Sequence, residues 1–505
     1  AYAYDKDSRE IRTTLGAITR NTAYDAWGRV KTQDWKDGEN QIFRVSYEYP
    51  DSGKNIISLP TAVVNGGSRT EYTYDNNGNI TSIKEGGKTV TYTYDGMNRL
   101  TRENNELLNK TITYYYDEGG NLREEREYDY TTEALSGSPK KLTIAVMDEK
   151  WKDKLLKWGS TEMTYDACGN MLKKGDTSFT WTQGRKLSEI SNGKSIRYYY
   201  DHTGARVKKV VDGVTTEYRM AGSLIVSERT GDETIWYQYD SAARLVAMVV
   251  GGVRYNYVRN AQNDIIGLID KAGKRVVSYK YDSWGKTISS TGTLAATIGK
   301  KNPFRYRGYY FDAESGMYYL QSRYYDVEIR RFISADNSIP YTIVVSGYNL
   351  FAYCINNPVN MYDPKGRFAL IVVGIAVRYT VKGVERAVEE AVGYVKESKG
   401  QPGKLLPTGV PGSSEVLRNP DGTIKQKRWY GPDGRAVRDR DYNHSGENIE
   451  FPHDHTWNNG KRSKDHEEPS PDYEFWGYRF LGAGLVVATG IGLAIVGGDD
   501  LTGAG

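Results

Sequence analysis

A short aromatic motif that ends in Tyr-Asp recurs along the first 290 residues and constrains the fold of this chain. Copies include EYTYDNNGNI at 71–80, TYTYDGMNRL at 91–100, TYYYDEGGNL at 113–122 and RYYYDHTGARV at 197–207. The alternation Tyr-x-Tyr places two aromatic rings on one face of a strand. The Asp-x-x-Gly that follows fits a type I turn. Each copy therefore predicts a β-hairpin, and further copies surround Tyr24, Tyr165, Tyr239 and Tyr281.

A lone hairpin cannot bury its aromatic face, but neighbouring copies can share that face in one continuous sheet. The chain contains 42 Tyr and only 10 Phe. Because Tyr buries an apolar ring while its hydroxyl still needs a partner, this bias favours a wall with one packed side and one wet side. We expect a hollow β-shell rather than a solid core, with an ordinary β-rich globular domain as the alternative.

Length, charge and cysteine content narrow the class of protein. A chain of 505 residues is too long for one compact core unless it is a repeat array. Its net charge of +4 gives no reason to expect attraction of the whole molecule to nucleic acid or membranes. Cys168 and Cys354 cannot make a disulfide framework. Since the sequence opens inside a repeat, we expect a missing N-terminal part that engages a delivery or secretion apparatus.

Between residues 303 and 367 the sequence becomes a dense aromatic block. It reads PFRYRGYYFDAESGMYYLQSRYYDVEIRRFISAD and, further on, GYNLFAYCINNPVNMYDPKGR. With the upstream copies, the block resembles the Rhs/YD-repeat family, which includes Rhs toxins, insecticidal toxin-complex C subunits and teneurins. The resemblance covers residues 1–366 and is carried by Arg305, Tyr306, Gly308, Tyr309, Asp312, Gly316, Tyr318, Tyr319, Arg323, Tyr324, Tyr325, Arg331, Phe332, Ser334, Asp336, Tyr348, Asn349, Tyr353, Asn357 and Pro358.

The resemblance implies a mainly β fold, a spiral sheet over residues 1–302 that closes into a cocoon around the C-terminal part. Residues 303–366 would be the closing plug. In bacterial members the block ends in Pro-x4-Asp-Pro-x-Gly, which here runs from Pro358 to Gly366. Family members that cleave themselves do so after this motif, which places the cut between Gly366 and Arg367 and releases the cargo.

Asp363 is the predicted catalytic residue of that cleavage, because a buried pair of carboxyls can share a proton and activate water. Cleaving members use a second, upstream aspartate. The nearest ones here are Asp336 and Asp326, and the sequence assigns neither. Arg367 also stands where cleaving members often carry Leu. The alternative for Asp363 is a structural turn, since Asp-Pro-Lys-Gly suits a type I turn.

After Gly366 the tyrosine repeats stop, and the sequence predicts a small α+β C-terminal domain. Residues 367–414 begin with the apolar run FALIVVGIAV, continue with apolar spacing typical of an amphipathic helix and end in a Pro/Gly-rich linker. Residues 415–479 form a His-rich domain, and residues 480–505 an apolar tail.

Four of the five histidines in the chain, His444, His453, His455 and His466, lie close together in the His-rich domain. A His pair beside a cation supplies the base, acid and phosphate contact that metal-free RNA cleavage needs. His453 and His455, two positions apart on a strand, would also suit a divalent metal with His444 or an Asp. Solvated loop histidines without common geometry are the alternative.

The segment KRWYGPDGRAVRDRDYNHSGENIEFPHDHTWNNGKRSKDH resembles the C-terminal ribonuclease domains of polymorphic toxins called type 24. That resemblance implies His444, His453 and His455 as catalytic residues and Arg428 and Arg462 as phosphate contacts. Trp429 lies among these basic residues and would stack a base. RNA is the expected target and a cognate immunity protein the expected partner. The protein would be secreted or at the cell surface, with its toxin acting in the target-cell cytoplasm.

The run FLGAGLVVATGIGLAIVGG at 480–498 carries no charge and has the length of a membrane span. A terminal helix packed on the toxin or inside the shell is the preferred interpretation. A membrane-active or pore-forming toxin is the first alternative function. A non-toxic YD-repeat surface protein that binds carbohydrate is the second.

Overall fold

The computed structural model describes residues 1–50, 58–336, 349–367, 370–371, 395–397, 414–418, 424–430, 435–441, 453–458 and 461–462. They fall into two units, the first reaching Ile371 and the second starting at Val395. The first unit thus continues a few residues past the domain boundary predicted at Gly366.

The first unit contains a 28-stranded antiparallel sheet among the described residues. Each strand pairs with the next one along the chain, so the sheet is a continuous meander of hairpins.

Its strands are β1 (Tyr2–Tyr4), β2 (Glu10–Leu15), β3 (Ile18–Tyr24), β4 (Val30–Asp37), β5 (Asn40–Glu48), β6 (Ala62–Asn65), β7 (Ser68–Tyr74), β8 (Ile80–Glu85), β9 (Lys88–Tyr94), β10 (Leu100–Asn105), β11 (Lys110–Tyr116), β12 (Leu122–Asp129), β13 (Lys141–Met147) and β14 (Leu155–Trp158). They continue with β15 (Thr161–Tyr165), β16 (Met171–Lys174), β17 (Thr177–Thr182), β18 (Lys186–Ser191), β19 (Ser195–Tyr200), β20 (Arg206–Val211), β21 (Val214–Ala221), β22 (Leu224–Thr230), β23 (Glu233–Tyr239), β24 (Leu245–Val250), β25 (Val253–Arg259), β26 (Ile265–Ile269), β27 (Arg275–Tyr281) and β28 (Thr287–Thr291).

The Tyr-Asp motif forms the strand and turn that its sequence predicts. In β7, Tyr72 is buried and Tyr74, two positions on, is half-buried on the same face. The Asp75 carboxylate accepts the backbone N–H groups of Asn77 (2.9 Å) and Asn79 (2.8 Å). The N–H of Gly78 donates to the carbonyl of Asp75 at 3.0 Å, which closes the turn before β8.

The second tyrosine of the motif clamps its hairpin to the preceding one. The Tyr74 hydroxyl donates to the carbonyl of Pro60 (2.7 Å), and the Tyr94 hydroxyl donates to that of Ile80 (2.7 Å). Such a bond satisfies the polar end of a ring that is otherwise packed. Equivalent bonds join Tyr24 to Glu10, Tyr49 to Val30, Tyr116 to Leu100, Tyr200 to Leu187, Tyr239 to Ile225 and Tyr281 to Ile265.

Contacts between strands far apart in sequence wind the sheet into a spiral. Arg20 of β3 pairs with Asp240 at 3.0 Å, 220 positions further along the chain. Arg254 of β25 donates to the carbonyl of Leu15 at 2.6 Å, across 239 positions. The second turn of the sheet therefore lies directly on the first.

The aromatic block packs on the tyrosine-bearing face of this sheet. It comprises β29 (Tyr310–Asp312), β30 (Met317–Tyr319), β31 (Tyr324–Asp326), β32 (Arg331–Phe332), β33 (Met361–Tyr362) and two 3-10 turns at Tyr306–Gly308 and Cys354–Asn356, preceded by α1 (Ile298–Lys301). Its rings meet those of the sheet edge-on or tilted, as in Tyr218 with Tyr310 (5.7 Å) and Tyr198 with Tyr324 (5.3 Å). β34 (Leu370–Ile371) pairs with β33.

The described residues of the second unit form one six-stranded sheet. Its strands are β35 (Val395–Glu397), β36 (Ser414–Arg418), β37 (Ile424–Tyr430), β38 (Ala436–Asp441), β39 (His453–Asn458) and β40 (Lys461–Arg462). β35 pairs with β36 in parallel, and each later pair is antiparallel. The helix predicted before the linker falls mostly outside the described residues, but Val395–Glu397 within it is a strand because it adds to β36.

Within the described ranges, no helix has the length and apolar character needed to cross a membrane. The apolar run at 480–498 lies outside them.

Gly273 lies where the two turns of the spiral touch, and we predict that Gly273→Ala strongly destabilises the first unit. Gly273 has φ +78°, and a Cβ there would lie 1.8 Å from the carbonyl oxygen of Ile42. Gly251 is the matched control, because it also has a positive φ (+55°) but faces open space. We expect Gly251→Ala to cost about 1–2 kcal/mol from backbone strain, and Gly273→Ala about 1–3 kcal/mol more from overpacking.

The midpoint of thermal unfolding, followed by circular dichroism on the full chain, measures the difference. Equal midpoints for the two variants would contradict the stacking of the two turns at this residue.

Candidate active site

The loop between β33 and β34 contains the predicted cleavage motif. Asp363 is 2% exposed at the start of this loop. Its backbone N–H donates to the Tyr309 hydroxyl (2.7 Å), and its carboxylate accepts the backbone N–H of Arg367 (2.9 Å). Asp363 therefore touches the nitrogen of the Gly366–Arg367 peptide, the bond that the sequence predicts to be cut.

The carbonyl side of that peptide bond is also held by side chains. The Ser322 hydroxyl lies 2.7 Å from the Gly366 carbonyl oxygen and 2.6 Å from that of Lys365. The Nε–H of Arg323 donates to the same Gly366 oxygen. Both ends of one peptide bond thus carry hydrogen bonds from neighbouring side chains.

Arg323 joins Asp363 to a second carboxylate. Its Nη2 lies 2.9 Å from Asp336 Oδ2 and 3.4 Å from Asp363 Oδ2. Asp336 is 5% exposed, and Arg323 lies over the Phe332 ring at 3.6 Å. Burial lowers the pKa of Arg323, although the two carboxylates oppose this shift.

Asp336 is therefore the second acid at the predicted site. The sequence left Asp336 and Asp326 unassigned, and the structure separates them, because Asp326 pairs with Lys174 of β16 instead. Asp336 lies well upstream of the motif, so no local spacing could have revealed it. Ser322 and Arg323 were missed as site residues for the same reason.

Different parts of the sheet hold the two acids. On the Asp336 side, Arg185 donates to the carbonyl of Ala335 (2.6 Å), and the N–H of Met171 donates to the carbonyl of Ile333 (3.0 Å). On the Asp363 side, the Gln262 side chain donates to the carbonyl of Val359 (2.8 Å). The two acids are thus positioned by contacts with two separate parts of the first unit.

Two side chains next to the site, Tyr309 and Cys354, are uncharged at neutral pH. Burial raises the pKa of the Tyr309 hydroxyl and of the Cys354 thiol well above their ordinary values. Both groups therefore keep their protons at neutral pH, and the other ionisable side chains described at the site are Asp336, Asp363 and Arg323.

A second cluster of polar side chains lies in the second unit, on one face of β37, β38 and β39. Arg428 donates to both carboxylate oxygens of Asp439 at 2.6 and 2.7 Å, and Arg462 Nε lies 2.9 Å from the same carboxylate. His455 is 2% exposed, with its Nε2 3.5 Å from Asp441 Oδ2. The predicted phosphate contacts Arg428 and Arg462 are therefore joined to each other through Asp439.

Asp441 is the carboxylate that connects this pair to the histidine. Burial would raise its pKa, but hydrogen bonds from Gln426 (2.8 Å) and Arg462 outweigh burial and lower it. Asp441 is thus ionised at neutral pH and lies near the His455 ring.

The remaining predicted nuclease residues are described only in part. His453 lies in β39 and Trp429 in β37, but their side chains are outside the described part of the chain, as is all of His444. The structure therefore brings Arg428, Arg462 and His455 together and leaves the other three untested. Within the described residues there is no group of three metal-ligating side chains.

The meander of hairpins, its tyrosine clamps and the aromatic block define a repeat-built β-shell of the YD type. The Teneurin YD-shell family model matches residues 5–135 and 139–359, and the chain belongs to this family.

Several relatives are named as toxins. The chain is 31% identical over 287 residues to the tRNA3(Ser)-specific nuclease WapA of Bacillus spizizenii, which covers 55% of this chain and 12% of that protein. It is 24% identical over 434 residues to double-stranded DNA deaminase toxin A of Burkholderia cenocepacia, covering 80% and 28% respectively. The chain thus spans less than a third of either relative.

The TcdB2-TccC3-Cdc42 crystal structure matches 72% of this chain and 21% of its own, with a TM-score of 0.54 and 17% identity. At this identity the likeness shows the fold alone. The predicted mainly β fold and the predicted Rhs/YD-repeat family are confirmed. The α part of the C-terminal domain, the ribonuclease and the cleavage stay predictions.

We predict that Asp439→Asn loosens the second unit, because it leaves two buried or half-buried guanidinium groups without their shared carboxylate. Removing one partner of a buried ion pair typically costs about 3–5 kcal/mol. Hydrogen exchange of the β37–β39 amides in the full chain should speed up accordingly. Lys461→Ala is the control, since Lys461 is exposed, and unchanged protection in Asp439→Asn would contradict the prediction.

Proposed function

We propose that this chain is part of an Rhs-type toxin, in which the YD shell carries residues after Gly366 as cargo and the chain cuts itself between Gly366 and Arg367. The observation that supports the cut is the hydrogen bonding of that one peptide. Its N–H meets Asp363, its carbonyl meets Arg323, and Asp336 shares the same guanidinium.

In this proposal the two aspartates act as an acid and a base on a water molecule. Asp336 accepts a proton from water as the oxygen adds to the carbonyl carbon of Gly366. Asp363, in its acid form, gives a proton to the nitrogen of Arg367 as the C–N bond breaks. The products are a carboxylic acid at Gly366 and an amine at Arg367.

The proposed reaction does not depend on the side chain of residue 367. Asp363 contacts the backbone N–H of Arg367, which is the same group in any residue except proline. Arg367 itself is exposed. The difference from the Leu found in cleaving members therefore leaves the reacting atoms unchanged.

We predict that Asp363→Asn and Asp336→Asn each stop self-cleavage of the full chain. Loss of a general acid or base typically slows a reaction by about 10²–10⁴-fold. Intact mass and N-terminal sequencing should find a fragment that begins at Arg367 in the wild type and in neither of these two variants. Asp326→Asn is the matched control, because Asp326 is a buried acid of the same block that pairs with Lys174, and it should still cleave.

A wild-type chain that stays intact, or an Asp363→Asn chain that cleaves, would contradict the proposed cut. Cleavage in Asp336→Asn alone would remove Asp336 from the mechanism but leave Asp363 in it.

We propose further that the cargo is a ribonuclease. Support comes from a relative named as a tRNA nuclease and from the buried His455–Asp441 contact beside two arginines. His455, His453 and His444 would act on the phosphodiester, with Arg428 and Arg462 near the phosphate and Trp429 against a base. A divalent metal at the histidines would make the reaction metal-dependent.

The same proposal places the protein outside the producing cell. It would be secreted or held at the surface, delivered by a secretion apparatus, and neutralised in the producer by an immunity protein. Its cargo would act on RNA in the target-cell cytoplasm.

We predict that His455→Ala reduces RNA cleavage by the purified full chain at least 100-fold, on the scale of losing a general base. The assay is degradation of total RNA with and without chelator, which separates metal-free from metal-dependent cleavage. His202→Ala is the control, because His202 is exposed in a turn of the shell. Intact RNA with the wild type, together with leakage of liposomes, would favour the membrane-active alternative.

A further inference from the structure

A strained turn precedes Arg323 in the aromatic block. Gln321 has φ +66°, and the N–H of Ser322 donates to the carbonyl of Leu320, two residues earlier, at 2.8 Å. This is the arrangement of the γ-turn with positive φ, which is rare and strained. Non-glycine residues in such conformations persist where surrounding contacts hold them, and they cluster at functional sites.

The turn directs Ser322 at the predicted cleavage loop. The Ser322 N–H lies 3.2 Å from the Lys365 carbonyl oxygen, and the hydroxyl lies within 2.7 Å of the carbonyl oxygens of both Lys365 and Gly366. A hydroxyl has a single proton to donate. Ser322 can therefore serve only one of the two carbonyls at a time.

Gly366 permits this close approach. A Cβ at Gly366 would lie 2.9 Å from Ser322 Oγ and 2.9 Å from the carbonyl oxygen of Leu320, and Gly366 has φ +68°. A side chain at this position would push the loop away from the turn. The turn at Leu320–Ser322 therefore packs closely against Gly366, whose carbonyl belongs to the peptide proposed to be cut.

We propose that Ser322 is a catalytic residue of self-cleavage, whose hydroxyl donates to the Gly366 oxygen as negative charge develops on it. The inference rests on the cleavage proposed above. In the resting chain the hydroxyl lies within hydrogen-bond distance of both carbonyl oxygens, and negative charge that develops on the Gly366 oxygen would draw its proton there. Together with Arg323 Nε it forms a two-donor oxyanion site.

The covalent steps are those of the hydrolysis. Water adds to the carbonyl carbon of Gly366, the C=O electron pair moves onto oxygen, and Ser322 and Arg323 stabilise the resulting oxyanion. The pair then returns, the C–N bond to Arg367 breaks, and the nitrogen takes the proton from the carboxyl pair. Ser322 keeps its own proton throughout, since it donates a hydrogen bond and forms no bond to carbon.

The test compares Ser322→Ala with Ser322→Thr and with Ser315→Ala in the full chain. Ser315 lies in the same block, but its hydroxyl donates to the carbonyl of Asp312 (3.2 Å), away from the loop. Each variant is synthesised in vitro, and the fragment that begins at Arg367 is followed with time at several pH values. Loss of one oxyanion donor predicts a slowing of Ser322→Ala by about 100–1,000-fold.

We expect Ser322→Thr to restore most of the rate, Ser315→Ala to match the wild type, and the pH profile and unfolding midpoint of Ser322→Ala to be unchanged. A Ser322→Ala chain that cleaves at the wild-type rate overturns the inference while leaving the aspartate chemistry intact. Complete loss of cleavage, with hydroxylamine-sensitive ester in the wild type, also overturns it, because Ser322 would then be the nucleophile. No cleavage in the wild type instead refutes the cut itself.

Discussion

The hydrogen bond from the second tyrosine of a hairpin to a carbonyl of the preceding hairpin recurs at eight tyrosines and is the contact on which the first unit depends. It lets a ring be packed while its hydroxyl stays satisfied, as in the bonds of Tyr74 and Tyr94. A phenylalanine would pack equally well but would leave the carbonyl without this donor. The bias towards Tyr over Phe in the sequence is thus explained by hydrogen bonding as well as by hydrophobic burial.

Buried ion pairs between the sheet and the aromatic block also hold the block in place. Asp312 of the block is fully buried, and Lys209 lies 3.1 Å from its carboxylate, with Arg206 also paired to it. Burial opposes the charge of Asp312, but the two cations outweigh burial and lower its pKa. Because each buried charge needs its partner, the block can seat in few ways. Precise seating is what brings the loop at Asp363 against Arg323.

The sequence predicted the repeated hairpins well because each hairpin is determined by interactions between residues close together in the chain. Tyr-x-Tyr alternation and Asp-x-x-Gly turns act within ten residues, and the structure has them as expected. Asp363 was also predicted, since its motif is local. Asp336 was a candidate that the sequence could not assign, and Arg323 and Ser322 were missed as site residues, because all three meet the loop only through folding of the block. The spiral could be expected only from the family resemblance, as contacts such as Arg20 with Asp240 span 220 residues.

The loop that contains the proposed cut joins two paired strands, and this pairing links the proposed cut to the stability of β34. Met361 pairs with Ile371 and Tyr362 with Leu370, so β34 is held to β33 on either side of the Gly366–Arg367 peptide. A typical backbone hydrogen bond contributes only about 1 kcal/mol net. While the loop is intact, its covalent link keeps the two short strands at high effective concentration. The proposed cut would remove this advantage and leave β34 paired to β33 through the two described backbone pairings, which contribute little by themselves.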